Sequence, residues 1–329
     1  METIFVVFPA LDDHEIFATI EDAFKKAEHP ERLVLGIAPL YSTRRYIRDV
    51  KKFTKKFGNQ IRLSEIRVTA KNIFETLGVG KGRRAAADLY AGEDYVLQID
   101  SHTWFAQGWD TRLIELHKQA VKELGLRKVI LTAYAGHYKY FSNDIREPFT
   151  DDGKLRYPFI HEEQRFSNVI PNWFDVPLPD DCLDLFVPAV KFNANFSFGD
   201  SSFGEYNGLL TEAVFFDEEL TQTINLTAAG FNLVFPNIKE PLICHLYSDH
   251  FDEFSGARPS LPEYMSPLLA EVFNKKTNDN FLSFVKDPKN QPAIKKWEKY
   301  AKCSLTFGPL RANHVPEYYI NQPDSDLKL

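Results

Sequence analysis

The stretch of sequence that decides the fold is GEDYVLQIDSHTWFAQGWD, residues 92–110. Its apolar centre, residues 95–99, is short and lies between turn-forming and polar residues, which is typical of a buried strand. Asp100, Ser101 and His102 follow this predicted strand directly. In open α/β sheets, ligands bind beyond the carboxyl ends of the strands. The stretch therefore predicts a ligand site at a sheet edge.

The first 135 residues alternate between strand-like and helix-like patterns. The predicted strands are residues 4–8, 32–37, 61–68, 95–99 and 128–134, and the predicted helices are residues 16–27, 44–57, 81–90 and 110–124. Asp12 and Glu15 have the spacing of a capping box for the first helix, and Asp110 is placed to cap the last. This alternation is typical of βαβ units, so it predicts an α/β fold with a mostly parallel sheet.

The pattern changes after residue 136. Residues 142–182 are rich in Pro, Asp, Asn and aromatic residues and have little periodicity, which predicts a long irregular segment of the kind that often carries function. Farther along, the predicted strands are residues 189–198, 231–235 and 241–244, and the predicted helices are residues 218–229, 268–274 and 293–301. The chain is thus predicted to end in a helical extension and a polar tail.

The composition excludes several classes of protein. With 329 residues, of which 44% are hydrophobic, the chain can bury a large core without disulfides. A net charge of −7 argues against a surface that is basic throughout. Cys182, Cys244 and Cys303 are an odd number without CxxC spacing, which favours a reducing compartment. The start lacks a signal-peptide pattern and no apolar run approaches roughly 20 residues, so we expect a soluble cytoplasmic protein.

One segment departs from this acidic average. Residues 44–56 contain seven basic residues and a single acidic one, Asp49. The segment is either the solvated face of an amphipathic helix or a surface for a polyanion, such as DNA that carries hydroxylated bases. The sequence leaves both interpretations open.

Asp100 and His102 are the best candidates for a metal site. Residues two apart in an extended chain point the same way, so both side chains can reach one ligand. A carboxylate and an imidazole suit a divalent cation that also binds phosphate oxygens. Because a histidine replaces the second carboxylate of an Asp-x-Asp pair, the preference shifts from Mg²⁺ towards Mn²⁺. The alternative is a set of ordinary polar contacts at the end of a strand.

The stretch 92–110 resembles the signature of the cytoplasmic hydroxyproline-directed GlcNAc transferases, which are retaining GT-A glycosyltransferases related to the mucin-type GalNAc transferases. The similarity extends over about residues 3–250. It also includes residues 4–7, Asp13, Glu15, Gly78, Arg83, residues 196–199, 216–220, 230–231 and 234–236, and His245-Leu246-Tyr247. The resemblance implies a GT-A fold: a Rossmann-like sheet flanked by helices, an irregular acceptor region and a C-terminal helical extension.

The resemblance also implies a donor site. It makes Asp100, His102 and His245 the ligands of Mn²⁺ (or Mg²⁺), and it makes Asp13, Arg83, Asp100 and Ser101 the residues that bind the UDP-sugar. Arg83 either clamps phosphate or uracil edges or belongs to a solvated helix face. Asp13 matches an acidic residue that meets the uridine. The sequence departs from the family at residues 10–12, where Ala, Leu and Asp stand in place of the usual Ser, Tyr and Arg. Uracil stacking on a tyrosine at that place is therefore absent.

Three carboxylates, Asp217, Glu218 and Glu219, are the candidates for catalysis. A carboxylate beside the anomeric carbon stabilises an oxocarbenium-like centre, binds sugar hydroxyls or attacks that carbon. The family has Gly in place of Asp217, which favours the two glutamates. Alternatively, the three acidic residues only mark the start of a helix, where the helix dipole favours negative charge. The aromatic residues Trp104, Trp109, Trp173, Phe198, Phe203 and Tyr206 either line a sugar or acceptor surface or belong to the core.

Taken together, these patterns predict a retaining, metal-dependent hexosyltransferase that moves a sugar, GlcNAc by resemblance, from UDP to a hydroxyl acceptor. The acceptor is a hydroxyproline-like protein hydroxyl or a hydroxylated base of DNA. A metal-dependent phosphotransferase or phosphohydrolase, or a binding protein without catalysis, is the alternative. We expect residues 1–135 to bind the nucleotide-sugar, residues 136–250 to bind the acceptor and complete catalysis, and residues 251–329 to form the extension. No membrane partner is expected, and the oligomeric state is not indicated.

Overall fold

The computed structural model describes residues 1–60, 65–72, 78–142, 145–149, 156–166, 170–178, 182–206, 213–215, 217–247, 267–301 and 305. The strands are β1 (Ile4–Leu11), β2 (Leu33–Tyr41), β3 (Glu65–Val68), β4 (Lys71–Asn72), β5 (Tyr95–Ile99), β6 (Thr103–Phe105), β7 (Val129–Thr132), β8 (Gly136–Ser142), β9 (Ile145–Pro148), β10 (Arg156–Phe166), β11 (Ile170–Pro177), β12 (Phe186–Pro188), β13 (Phe196–Asp200), β14 (Asn232–Pro236) and β15 (Ile243–His245). The α-helices are α1 (Glu15–Lys26), α2 (Arg44–Gln60), α3 (Val79–Ala87), α4 (Trp109–Leu124), α5 (Ser201–Tyr206), α6 (Glu218–Ala228), α7 (Pro267–Lys286) and α8 (Gln291–Ala301).

A nine-stranded mixed sheet forms the centre of the molecule. Its order is β12-β14-β7-β13-β5-β1-β2-β3, and β4 also pairs with β2. Strands β5, β1, β2 and β3 run parallel, whereas β13 lies antiparallel between β5 and β7. The parallel strands β1, β2 and β5 therefore end at one edge of the sheet, and the residues that follow them meet there.

Apolar side chains hold this sheet between the helices. Strand β1 is buried along Ile4–Phe8 because both faces of the sheet are covered. Helix α1 packs its buried residues Ile16, Ile20 and Ala23 into this core, and Trp109 at the start of α4 is fully buried. In the described residues, no helix combines the length and the apolar character that crossing a membrane requires.

A second sheet of four strands, in the order β6-β15-β8-β9, lies beside the edge where β5 ends. Strand β15 pairs antiparallel with β6 and parallel with β8, which sets His245 opposite Thr103 and His137. This sheet is fastened to α1 through buried Glu15. One of its carboxylate oxygens accepts hydrogen bonds from Tyr138, Tyr140 and Arg146. The second sheet therefore brings the end of β15, at residue 245, close to the end of β5.

The structure confirms the predicted strand at residues 95–99 but corrects the prediction for residues 142–182. That segment is not irregular throughout, since it contains β9 and the antiparallel pair β10 and β11. The pairing of β10 with β11 shifts register between Ile160 and Arg165. A bulge interrupts the alternation of side chains, which is why the sequence lacks a strand period there. Similarly, the expected strand at 189–198 is too long at its start, because β13 begins at Phe196 and ends at Asp200.

Two predicted helix caps are also wrong. His14 occupies the N-cap position of α1 without a side-chain cap bond, and Asp12 instead accepts a hydrogen bond from the backbone of Ser42 at 3.0 Å. The cap of α4 is Gly108, whereas both oxygens of Asp110 accept hydrogen bonds from the backbone of Glu28 and His29. In each case the carboxylate satisfies backbone N–H groups of a different segment.

Candidate active site

Three potential metal ligands converge where β5 ends. Asp100 follows β5, His102 precedes β6, and His245 ends β15. One ligand atom from each residue lies within 4.8 Å of the others. The two imidazole rings have centroids 4.5 Å apart and are inclined at 68°. The structure thus brings together the three residues that the sequence proposed, although His245 is far from the others along the chain.

Asp100 lies between a guanidinium and an imidazole. Its Oδ1 accepts a hydrogen bond from Arg83 Nη2 at 2.8 Å, and its Oδ2 lies 3.1 Å from His245 Nε2. Burial alone would raise the pKa of Asp100, but Arg83 and the two histidines outweigh burial and hold this pKa well below its usual range. The carboxylate is therefore ionised and available as a ligand at neutral pH.

Asp13 orients His102. The Oδ2 of Asp13 lies 2.6 Å from His102 Nδ1 and accepts a 2.6 Å hydrogen bond from the Ser101 hydroxyl. A histidine that binds a metal usually donates its other ring N–H to a carboxylate, and Asp13 occupies that position. Burial lowers the pKa of His102, but the carboxylates of Asp13, Asp100 and Glu15 together outweigh burial, so this pKa is raised.

His245 has the opposite electrostatic character. Burial and the neighbouring His102 lower the pKa of His245 to about 4, so its ring is neutral at pH 7. Its Nδ1 is buried and has no hydrogen-bond partner among the described residues. A neutral imidazole offers a lone pair, which is the form that binds a metal.

This group of residues fits a divalent cation. Two ligands about 2.1 Å from one ion and at right angles to each other are about 3 Å apart. The 3.1 Å between Asp100 Oδ2 and His245 Nε2 agrees with that separation. One carboxylate and two imidazoles are also a donor set suited to Mn²⁺.

Arg83 links the metal candidates to the proposed catalytic carboxylates. It is buried on α3, and its Nε lies 2.5 Å from Glu218 Oε1 while Nη2 contacts Asp100. Burial raises the pKa of Glu218 to about 7, although Arg83 opposes this shift. Glu218 therefore changes its protonation state near neutral pH. Of the three carboxylates, it is the one within ion-pair distance of Arg83 among the described contacts.

Glu219 and Asp217 have other partners. Glu219 pairs with the buried Lys191 and accepts a hydrogen bond from the backbone of Ala194 at 2.9 Å. Asp217 accepts hydrogen bonds from the backbone of Val214 and Phe215, each at 2.9 Å. Burial raises the pKa of Asp217, and these two bonds oppose that shift only in part. Asp217 thus fixes the turn that leads into α6.

An aromatic cluster beside the site was not found by sequence reasoning as a group. The Tyr247 ring lies 4.3 Å from both His245 and His137 and stacks on Tyr134 at 5.2 Å, measured between centroids. The Tyr247 hydroxyl accepts a hydrogen bond from Asn195 at 3.1 Å. The sequence could have indicated this cluster, because Tyr247 follows the candidate ligand His245 by only two residues.

Three of the six aromatic residues proposed as a sugar or acceptor surface belong to the core instead. The fully buried residues are Trp109, Phe198 and Phe203. Trp104 is half-buried and lies beneath the Lys26 ammonium at 3.9 Å, and the Tyr206 hydroxyl bonds to the backbone of Asn225 at 3.1 Å. The side chain of Trp173 lies outside the described residues.

Comparison with solved structures defines the class of fold. The crystal structure of GalNAc-T7 with UDP, GalNAc and Mn²⁺ matches 92% of this chain with a TM-score of 0.52 and 15% identity. The match covers 55% of that chain, so the present chain spans about half its length. S. aureus TarS 1-349 in complex with UDP-GlcNAc matches 91% of this chain and 81% of its own, with a TM-score of 0.43 and 11% identity. The fold is that of the GT-A glycosyltransferases.

The sequence then gives the family. Residues 42–253, well over half of the chain, match the family model for glycosyltransferase (GlcNAc). The chain therefore belongs to the glycosyltransferase (GlcNAc) family. A comparison with curated protein sequences finds no match.

Proposed function

We propose that this protein is a metal-dependent, retaining glycosyltransferase that moves GlcNAc from UDP-GlcNAc to a hydroxyl group. The observation that carries the proposal is the convergence of Asp100, His102 and His245 at the end of β5, in a chain of the glycosyltransferase (GlcNAc) family. The GalNAc-T7 structure, which has the same fold, contains UDP, GalNAc and Mn²⁺. A site for a metal and a UDP-sugar at this sheet edge is consistent with it.

The donor side of the reaction follows from the charges at the site. Asp100, His102 and His245 would hold Mn²⁺, which supplies Lewis-acid stabilisation of the negative charge that grows on the departing diphosphate. Asp13 keeps His102 in one tautomer and orientation. Arg83 is positively charged, buried and already in contact with Asp100, so it adds a fixed cation beside the phosphates.

Glu218 is the carboxylate that we assign to the sugar side. Glu218 is within ion-pair distance of Arg83. Its pKa of about 7 allows it to be either ionised or protonated near neutral pH. As a carboxylate it stabilises positive charge at the anomeric carbon, and the departing phosphate can take the proton of the incoming hydroxyl. Glu219, held by Lys191, is assigned to the binding of sugar hydroxyls.

The acceptor and the division of the chain complete the proposal. We assign residues 1–135 to the donor, residues 136–250 to the acceptor and residues 251–329 to a C-terminal extension. The acceptor is a hydroxyproline-like protein hydroxyl, as the resemblance at residues 92–110 implies. We place the activity in the cytoplasm, because three widely separated cysteines indicate a reducing compartment.

Donor transfer tests this function directly. The purified protein is incubated with Mn²⁺ and UDP-GlcNAc, UDP-GalNAc, UDP-glucose or UDP-galactose, and UDP release and the anomeric configuration of the product are measured. We expect turnover with UDP-GlcNAc and an α-linked product. His245→Ala should lose activity at least about 100-fold, whereas His29→Ala, which changes a half-exposed histidine paired with Glu31, should retain it.

Two results would overturn the proposal. Failure to bind or turn over any of the four UDP-sugars in Mn²⁺ would exclude the transferase. Cleavage of simple phosphoesters without sugar transfer would identify the site as that of a phosphohydrolase instead.

A further inference from the structure

The helix α2 carries a continuous surface of positive charge. We call this surface the basic stripe, and it consists of the exposed residues Arg44, Arg45, Arg48, Lys51, Lys52, Lys55 and Lys56. At 3.6 residues per turn, all seven residues fall within about 140° of the helix circumference. At ~1.5 Å per residue, the stripe is about 18 Å long. The helix thus presents a linear array of cations to solvent.

The opposite face of α2 fixes the orientation of the stripe. Tyr46 and Val50 are each only 1% exposed, and the Phe53 ring lies 4.7 Å from that of Phe17. Phe57 packs against Phe24 with centroids 5.3 Å apart. Because these contacts hold the helix on the core, the basic stripe has a fixed orientation towards solvent. These apolar residues of the helix are used in this packing, and none lies within the stripe.

The arrangement of charges is unfavourable for an isolated, solvated helix. Like charges four residues apart repel each other, and the stripe contains the pairs 44/48, 48/52, 51/55 and 52/56. The first turn contains no acidic residue, although a helix dipole favours acidic residues there. The single acid of the helix, Asp49, lies near Arg45 at 3.9 Å. A helix that needed only to be soluble would interleave the two signs of charge.

The stripe also opposes the charge of the rest of the protein. Helix α2 has seven basic residues and one acidic residue, a net charge of +6, so the remainder of a chain with net charge −7 carries −13. A polyanion is therefore repelled by most of the molecule and attracted to one helix. Such asymmetry orients a charged partner.

We propose that the basic stripe binds the phosphate backbone of a nucleic acid. Phosphates repeat along a strand at a spacing of several ångströms, so an 18 Å array of cations spaced by about one helical turn can contact several of them. An acidic peptide would also need pockets for its side chains, and an amphipathic membrane helix would expose apolar residues. The described exposed residues of α2 form a line of cations and include no apolar side chain.

The stripe begins at the edge that holds the candidate active site. Helix α2 follows β2, and the Tyr46 hydroxyl donates a hydrogen bond to the backbone oxygen of Asp13 at 3.0 Å. Asp13 in turn contacts His102. A nucleic acid on the stripe would therefore reach the rim of that site. The binding itself does not depend on the proposed transfer reaction.

Binding to DNA in the absence of metal and nucleotide-sugar tests the inference. A fluorescein-labelled 20-base-pair duplex of random sequence is titrated with the full chain, and fluorescence anisotropy is measured from 50 to 200 mM NaCl. We expect a micromolar Kd near 100 mM NaCl and a weakening of about 500-fold across the range if five phosphates are contacted. The triple variant Arg48→Glu/Lys52→Glu/Lys55→Glu should weaken binding at least about 100-fold.

A control of equal charge separates the stripe from net charge. The variant Lys276→Glu/Lys286→Glu/Lys289→Glu changes three exposed lysines of α7 and the turn after it by the same total charge. This control should bind within about threefold of the wild type. The variant Arg48→Gln/Lys52→Gln/Lys55→Gln, checked by circular dichroism, ensures that lost binding does not reflect a melted helix.

The inference is overturned by any of three results. These are binding that does not change with salt, an equal loss in the α7 control, and equal or tighter binding of the same protein to poly-glutamate or to vesicles containing phosphatidylserine. The last result would assign the stripe to a different anionic partner. None of these outcomes bears on the sugar-transfer assay, so the two proposals fail separately.

Discussion

The charge states of Asp100, His102 and His245 are determined by their partners as much as by their own chemistry. Asp100 and Asp13 are both aspartates on the same sheet edge, yet the first contacts Arg83 and the second contacts His102. The histidines differ in the same way, since the pKa of His102 is raised and that of His245 is lowered. The site therefore combines one imidazole held by a carboxylate with one that is neutral.

Asp13→Asn tests the role of the residue behind the ligand. The amide removes the carboxylate that orients His102 and leaves Asp100, His102 and His245 intact. We expect affinity for Mn²⁺, measured by isothermal titration calorimetry, to fall about 10–100-fold. Asp94→Asn is the matched control, because Asp94 bonds to Thr3 at the opposite end of β5 and should leave the affinity unchanged. Equal affinities of wild type and Asp13→Asn would show that the Asp13 carboxylate does not contribute to metal binding.

Glu218 gives a prediction about pH and stability. Burial raises its pKa from the ordinary 4.5 of a glutamate to about 7 in the folded protein, so folding favours the protonated form. Its stabilising contribution is therefore complete below about pH 4.5 and is lost as the pH rises through about 7. Relative to Glu218→Gln, the wild type should be more stable at pH 5 than at pH 8.

Thermal unfolding of both proteins across pH 5–8 measures this difference. The exposed residue Glu115 on α4 supplies the control, since Glu115→Gln should give a constant offset from the wild type. A wild type that becomes more stable relative to Glu218→Gln as the pH rises from 5 to 8 would contradict the assignment of a raised pKa to Glu218.

At the level of elements, the sequence predicts the parts of the fold where burial and periodicity agree. Strand β5 is buried at all five positions and has the predicted bounds, and α6 begins at the predicted Glu218. The sequence does not predict β10 and β11, because the bulge between them breaks the alternation that identifies strands.

The candidate site was predictable for a related reason. Asp100 and His102 are two residues apart at the end of a strand with a clear signal, so their proximity follows from the strand alone. The contact of Arg83 with Glu218 joins α3 to α6 across more than 130 residues, and no local pattern records it. No local pattern records the contact of Asp110 either, because its carboxylate accepts a hydrogen bond from the backbone of Glu28 instead of capping its own helix.

The start of α3 depends on a glycine. Gly78 has φ = +100°, and a Cβ there would lie 2.6 Å from the Ala213 oxygen and 2.7 Å from Val214 Cα. Gly92 has a similar φ of +103°, but its Cβ would have no neighbour within 4 Å. Substitution by alanine causes backbone strain at both positions, but it causes steric overlap only at Gly78. Comparing the two variants therefore separates the effect of overlap from that of strain.

We expect Gly78→Ala to lower the free energy of unfolding by about 1–3 kcal/mol more than Gly92→Ala does. Urea denaturation of the two variants measures this quantity. Because α3 also carries Arg83, Gly78→Ala should weaken binding of UDP-sugar as well, whereas Gly92→Ala should not. Equal stabilities of the two variants would show that the segment around Val214 moves away without cost.

At the scale of the whole molecule, the candidate ligands join the two sheets. Asp100 belongs to the end of the nine-stranded sheet, and His245 belongs to the four-stranded sheet. A cation held by both would add a link between them that the unfolded chain cannot form. Metal binding should then stabilise the entire fold, beyond the local effect on one loop.

This link leads to a prediction for the melting temperature. A ligand at 100 times its dissociation constant stabilises the folded state by about 2.7 kcal/mol if it does not bind the unfolded chain. Differential scanning calorimetry should therefore show a single transition that rises by several degrees in Mn²⁺ and returns to its starting value with EDTA. His245→Ala should abolish the rise, because it removes the ligand from the second sheet, whereas His29→Ala should preserve it. A rise in Mn²⁺ that persists in His245→Ala would mean that the metal binds without joining the sheets.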